Sequence, residues 1–169
     1  ESGRQDRPTK KERINEIHSV MDITHHSYRI LNNLVNRYDE YELIGQIEEL
    51  INEQKPFEIY LPHPSYNQDH KSVYNATMVA LRPHDINFFV KKVLLYEQPQ
   101  DFWASGRPAF NPNYFISIDI NKKISLYQKM TSQVRDHRST KHLETIAQLR
   151  GMQANTPCAE AFEILRWCE

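Results

Sequence analysis

Leu43, Ile44, Ile47, Leu50 and Ile51 recur at spacings of three and four. This period predicts a helix opened by Asp39 and ending near Gln54, before Pro56. Upstream, Thr9 and Glu12 form a T-x-x-E capping box. The helix it opens runs to about Val20, with Ile14, Ile17 and Met21 on one side. Between Asp22 and Arg37 the apolar residues follow no single period. Phe57 to Leu61 is short, apolar and β-prone, and predicts a strand. A Pro-bounded loop follows, and Asp69 is expected to cap a helix reaching Leu81, with Val73, Ala76, Thr77 and Ala80 on one face. Phe88 to Tyr96 reads as the next strand; its run Val93-Leu94-Leu95 suits a strand covered on both faces. A long Pro-containing loop leads to a strand at Tyr114 to Ile118. Helices are expected at Ile120 to Met130 and Thr140 to Leu149, with Gly151 as the left-handed residue past the second. Ala161 to Leu165 suits a last strand or a helix, and is read as a strand.

Strand, helix, strand over residues 57 to 96 is a βαβ unit, which demands parallel strands and a right-handed crossover. Helices on either side of it in sequence predict an α/β fold, a sandwich with a mostly parallel sheet. The 169 residues are the size of one domain.

Net charge is -1, with 21 Lys and Arg against 22 Asp and Glu. Nucleic-acid binders carry a basic excess, so that class is set aside. Two cysteines, Cys158 and Cys168, are too few for a disulfide framework and suggest a reducing compartment. No apolar run is long enough to span a bilayer, and no signal-peptide pattern is read, so the expected location is cytoplasmic.

In open α/β sheets, ligand-binding and catalytic groups gather at the carboxyl ends of strands. The segment leaving the first predicted strand is Pro62-His63-Pro64-Ser65-Tyr66-Asn67-Gln68-Asp69-His70, which places two His, an Asp, a Tyr and an Asn in nine residues. His70, beside Asp69 at the start of a helix, has the layout of a metal ligand with a nearby carboxylate to hold its other nitrogen. One ligand does not make a zinc site. Tyr66, Phe102, Trp103 and Phe110 are candidates to line a sugar site, and Arg107 to meet an anionic substrate group.

The stretch Leu61 to Val73 resembles the second metal motif of the zinc-dependent de-N-acetylases known as the PIG-L or LmbE-like family. Ala80-Leu81-Arg82-Pro83, Leu95-Tyr96-Glu97, Phe110 to Phe115, Asp119 to Lys123, Arg138-Ser139, Arg150-Gly151 and Ala159 to Phe162 continue the resemblance in order. It covers about residues 10 to 165, and its specificity lies in the ordered set. The resemblance implies a Rossmann-like three-layer α/β sandwich and hydrolysis of an N-acetyl group from an amino sugar or related small molecule. It implies zinc or another divalent metal, with His70 as one ligand. Such an ion polarises the acetyl carbonyl and acidifies a bound water. A carboxylate takes the proton and an acid protonates the leaving amine.

The sequence departs from the family pattern twice. The early His-Pro-Asp-Asp motif, which supplies two further ligands and the general base, is absent; the expectation is a single domain, residues 1–169, lacking its N-terminal strand and first metal motif. The position of the proposed general acid is Asn67, which leaves His63 as the substitute acid. The expected site is therefore His63 and Asp69 for catalysis, Tyr66, Asn67 and Arg107 for substrate, and His70 for metal. The partner is a small N-acetylated molecule, with oligomerisation left open. The alternative is a non-catalytic carbohydrate- or protein-binding domain of the same fold.

Overall fold

The structure is a computed structural model that describes residues 8–84, 86–102 and 109–169, with the backbone alone at Gln100 and Phe102. The described elements, in order, are α1 (Lys10–Thr24), α2 (Glu40–Gln54), β1 (Glu58–Pro62), α3 (Gln68–Ala80), β2 (Lys92–Tyr96), a one-turn 3-10 helix (Pro99–Phe102), β3 (Tyr114–Ser117), α4 (Ile120–Tyr127), a second 3-10 turn (Thr131–Gln133), α5 (Thr140–Ala154) and β4 (Ala159–Trp167). The strands form one sheet in the order β1-β2-β4-β3. No helix among the described residues is long and apolar enough to cross a membrane.

The chain divides into two compact units. One comprises Asn36–Phe115 and Ala161–Glu169. In it Asp39 caps α2, its carboxylate accepting from the N–H groups of Tyr41 and Glu42, and α2 ends on Lys55 in the left-handed region (φ 47°). Helix α3 connects β1 to β2, which pair in parallel from Glu58↔Lys92 to Pro62↔Tyr96. Buried Ile51, Leu61, Ala80, Leu81, Val90, Val93 and Leu95 make the core, with Ile47, Ile59, Tyr74, Phe110 and Leu165 packed against it. Each fully buried Leu, Ile or Val of this set contributes about 1.5–3 kcal/mol.

The other unit comprises Glu1–Val35 and Ile116–Glu160. The Thr9–Glu12 capping box forms as expected. The Glu16 carboxylate accepts from Thr131 Oγ1 (2.8 Å) and from the Ser132 N–H (2.6 Å), tying α1 to the second 3-10 turn. Tyr127 Oη donates to the carbonyls of Gln133 and Arg138, closing the turn between α4 and α5.

The elements depart from expectation in informative ways. The sheet is mixed, not mostly parallel: β4 runs antiparallel to β2, from Lys92↔Trp167 to Tyr96↔Phe162, with a bulge between Val93 and Leu94. The crossover helix forces β1 and β2 parallel, but β4 arrives from α5 with no such constraint. Strand β2 begins at Lys92, not Phe88, because its register with β1 starts there; the Phe88 N–H goes instead to Asn52 Oδ1 (2.7 Å). Helix α4 stops at Tyr127, short of Met130. Helix α5 passes through Gly151 and ends at Ala154, with Asn155 as the left-handed residue (φ 53°). Gly151 answers a different need. A Cβ there would lie 2.5 Å from the Thr156 carbonyl oxygen, where the chain folds back over the helix. Helix α3 is capped by Asn67, not Asp69.

Candidate functional site

Because β1 and β2 are parallel neighbours, their carboxyl ends fall at the same edge of the sheet. Strand β1 runs out through Pro62 into His63, and β2 through Tyr96 into the 3-10 turn that carries Asp101. The His63 N–H donates to the Tyr96 carbonyl (3.4 Å), extending the ladder one residue past both strands. A tight local network then shapes the β1–α3 connection. The Ser65 N–H donates to the His63 carbonyl (2.8 Å), and the Asn67 N–H to Ser65 Oγ (3.3 Å). Asn67 Oδ1 accepts from the N–H groups of Asp69 (2.9 Å) and His70 (3.4 Å). This cap sets His70 in the first turn of α3, with its Nδ1 3.5 Å from Ser65 Oγ.

His63 is buried, 2% exposed, and its Nδ1 lies 3.4 Å from Asp101 Oδ1, on a side chain equally buried. Neither atom has a hydrogen-bond partner among the described residues. The other carboxylate oxygen, Oδ2, accepts from the Gln98 N–H (2.9 Å), and the Asp101 N–H donates back to the Gln98 carbonyl (2.9 Å). The Phe110 ring stands edge-on to the His63 imidazole, 5.4 Å between centroids. Burial pushes the half-buried His70 imidazole below its ordinary value, and the charges of Asp101 and Asp69 pull the other way without reversing it. Burial thus favours the neutral imidazole of His70, the form in which a histidine ligates a metal.

The expected site residues thus separate. His63 and His70 both fall within the influence of Asp101. Asn67 commits its side-chain oxygen to the helix cap. Asp69 accepts from the Asn36 N–H (2.7 Å), so it steadies a turn before α2 while its charge acts on His70. Tyr66 is half exposed, with Lys71 Nζ 5.8 Å from its ring centre. Arg107 and Trp103 lie outside the described residues, as does the side chain of Phe102.

Asp101 and Ser65 are members that reading the sequence missed. A signal for Asp101 exists: it follows the end of the strand that neighbours β1, in the short polar run Glu97 to Asp101. Among the described residues, no three His, Cys, Asp or Glu side chains converge as a metal-holding group. The described donors alone do not fit a metal centre.

No family model and no curated protein sequence matches the chain. Solved structures do. N,N'-diacetylchitobiose deacetylase from Pyrococcus horikoshii is 16% identical with a TM-score of 0.70, over 92% of this chain and 64% of its own. The 4-carboxy-2-hydroxymuconate hydratase GalB from Pseudomonas putida KT2440 is 18% identical with a TM-score of 0.67, over 95% of this chain and 74% of its own. The zinc-inhibited form of teicoplanin deacetylase Orf2 is 16% identical with a TM-score of 0.63, over 92% and 74%. The chain therefore spans about two thirds to three quarters of the length of these proteins. It shares the α/β fold of these proteins, two deacetylases among them, which bears out the α/β class that the sequence resemblance implied but not its mostly parallel sheet.

Proposed function

We propose that this chain belongs to a hydrolase that removes an N-acetyl group from an amino sugar or related small molecule, on a Rossmann-like three-layer frame with zinc or another divalent ion as cofactor. One observation carries the reading. A buried imidazole and carboxylate, with a second imidazole under that carboxylate's charge, lie past the carboxyl ends of adjacent parallel strands, in a fold shared with deacetylases. Fold alone does not fix chemistry, and a hydratase shares this one. The assignment to deacetylation therefore rests on the site residues together with the sequence resemblance.

In this reading His70, neutral and anchored at the start of α3, is one ligand of the cofactor, and the remaining ligands lie outside the described residues. His63 carries the proton to the leaving amine, a task Asn67 cannot perform. Asn67 and Tyr66 sit on the connection that precedes His70, and with Arg107 they are the groups that meet the substrate. Asp69 biases His70 electrostatically, and with Oδ1 accepting from the Asn36 N–H it is better suited to orienting His70 than to acting as the base.

The test uses the protein expressed from its complete reading frame. Acetate release from N-acetylglucosamine and N,N'-diacetylchitobiose is measured alongside zinc content. Hydrolysis that a chelator abolishes and zinc restores, and that His70→Ala removes together with bound metal, supports the reading. A metal-replete protein that releases no acetate from any N-acetylated sugar refutes it. A second reading, a carbohydrate-binding domain without hydrolysis, draws on the lack of three converging ligands among the described residues. Calorimetric binding of the same sugars with no acetate released would establish it.

A further inference from the structure

Two buried atoms of the site face each other with no hydrogen-bond partner among the described residues: His63 Nδ1 and Asp101 Oδ1, 3.4 Å apart. A buried donor or acceptor left unpaired is costly, so an isolated pair of orphans that face one another calls for an explanation. The two groups come from different connections, each tied down independently. His63 is held by its N–H on the Tyr96 carbonyl and by the edge of the Phe110 ring. Asp101 is held by the reciprocal bonds with Gln98. Neither restraint points the imidazole nitrogen at the carboxylate by local necessity.

We infer that Asp101 is a positioning residue for His63: it selects the tautomer with the proton on Nδ1 and leaves Nε2 as the nitrogen that exchanges a proton with substrate. This rests on the deacetylase reading for its consequence in turnover, but not for its geometry. The argument is one of donors and acceptors. An ionised carboxylate only accepts, so the imidazole nitrogen facing it carries the hydrogen. A small closure of the 3.4 Å gap satisfies both orphans at once. His63, not Asp101, is the group that reaches the reacting atoms; Asp101 acts through it.

Asparagine at 101 gives a sharp test. Oδ2 of Asp101 accepts from the Gln98 N–H, so the amide carbonyl of Asn must take that place. Its NH2 is then turned towards His63 Nδ1, which must become an acceptor, and the proton moves to Nε2. In the neutral ring Nε2 is then already protonated, so it cannot take up the proton that His63 has to pass on to the leaving amine. In the full-length enzyme, Asp101→Asn is expected to lower kcat by roughly 100-fold or more with little change in KM.

The decisive readout does not need turnover. Two-bond 1H–15N correlation spectra of the 169-residue chain, with His63→Gln used for assignment, report which imidazole nitrogen carries the proton. The expected result is Nδ1–H in the wild type and Nε2–H in Asp101→Asn. A wild-type His63 whose neutral form is protonated at Nε2 overturns the inference, and that measurement stands even if the variant fails to fold. An unchanged tautomer in a folded Asp101→Asn protein overturns it equally. A tautomer switch in a protein without deacetylase activity would uphold the positioning role while refuting the functional reading, so the two failures are distinguishable.

Discussion

Gly151 and Gly45 sit inside α5 and α2, neither at a positive φ, and the structure assigns opposite signs to the same substitution at each. Alanine in place of glycine in a helix interior is favourable by about 1 kcal/mol, from reduced freedom of the unfolded chain and better helix propensity. At Gly45 nothing lies within 4 Å of the added Cβ, so the whole gain is realised. At Gly151 the Cβ would meet the Thr156 oxygen at 2.5 Å and the Pro157 oxygen and carbon at 2.6 and 2.7 Å. These are backbone atoms, and the Thr156 N–H is itself bonded to the Gly151 carbonyl (3.0 Å), so the returning chain cannot swing away as a side chain would. Overpacking of this kind costs about 3 kcal/mol, the upper end of its usual range. Subtracting the propensity gain leaves Gly151→Ala destabilised by about 2 kcal/mol. For a chain of this length each kcal/mol moves Tm by about 2–4 °C. Gly45→Ala should therefore melt about 2–4 °C higher than wild type, and Gly151→Ala about 4–8 °C lower. Scanning calorimetry of the three proteins under one buffer checks both. A Gly151→Ala protein that melts with or above wild type would falsify the close-approach explanation.

Asn67→Ala removes the cap of α3 and should cost about 1 kcal/mol, whereas Asn67→Asp and Asn67→Ser keep an acceptor and most of the stability. Urea titration measures this, and equal midpoints for Ala and Asp would show that the cap contributes nothing. The stability of the protein should also depend on pH through His70. Burial holds its folded imidazole below the ordinary 6.5, against the pull of Asp101 and Asp69, so on acidification the unfolded chain takes up this proton first. The His70 contribution is full above 6.5 and declines as pH falls below it towards the lower folded value. The stability difference between wild type and His70→Gln should therefore shrink between about pH 7.5 and 5.5; a difference that grows on acidification would show the shift to have the opposite sign.

The parts of the fold that were legible are those where one face of an element meets the core. The three-four spacing in α2 and the β-prone run in β1 are local signals, and both elements stand within a residue of where they were expected. The direction of β4 is not a local property. The apolar residues along Ala159–Trp167 mark a strand equally well whichever way it runs beside β2, so the mixed sheet could not be read from them. Gly151 misled for a related reason. Glycine after a run of helical residues suggests a left-handed terminus, but here its lack of a side chain serves a backbone crossing formed by residues further on. In the site, the β1–α3 connection announced itself by composition. Asp101 did not, because its meaning comes from the parallel pairing that brings a second connection beside the first. Asn67 holds the cap expected of Asp69 because both residue types suit the N-cap, and the turn through Ser65 places Asn67 there.

The place of β4 bears on how the protein is made. Synthesised after the other three described strands, it lies between β2 and β3 in the sheet, and its final residues complete a unit begun at Asn36. While the ribosome is still extending the chain, β1 and β2 can associate through the crossover helix, but the Val93-Leu94-Leu95 edge of β2 has no neighbour on its far side until residues 162–167 emerge. An apolar strand edge left open is a template for pairing with other nascent chains. The interval between translation of Tyr96 and Trp167 is thus a window in which chaperone binding to this edge would have its greatest effect on yield.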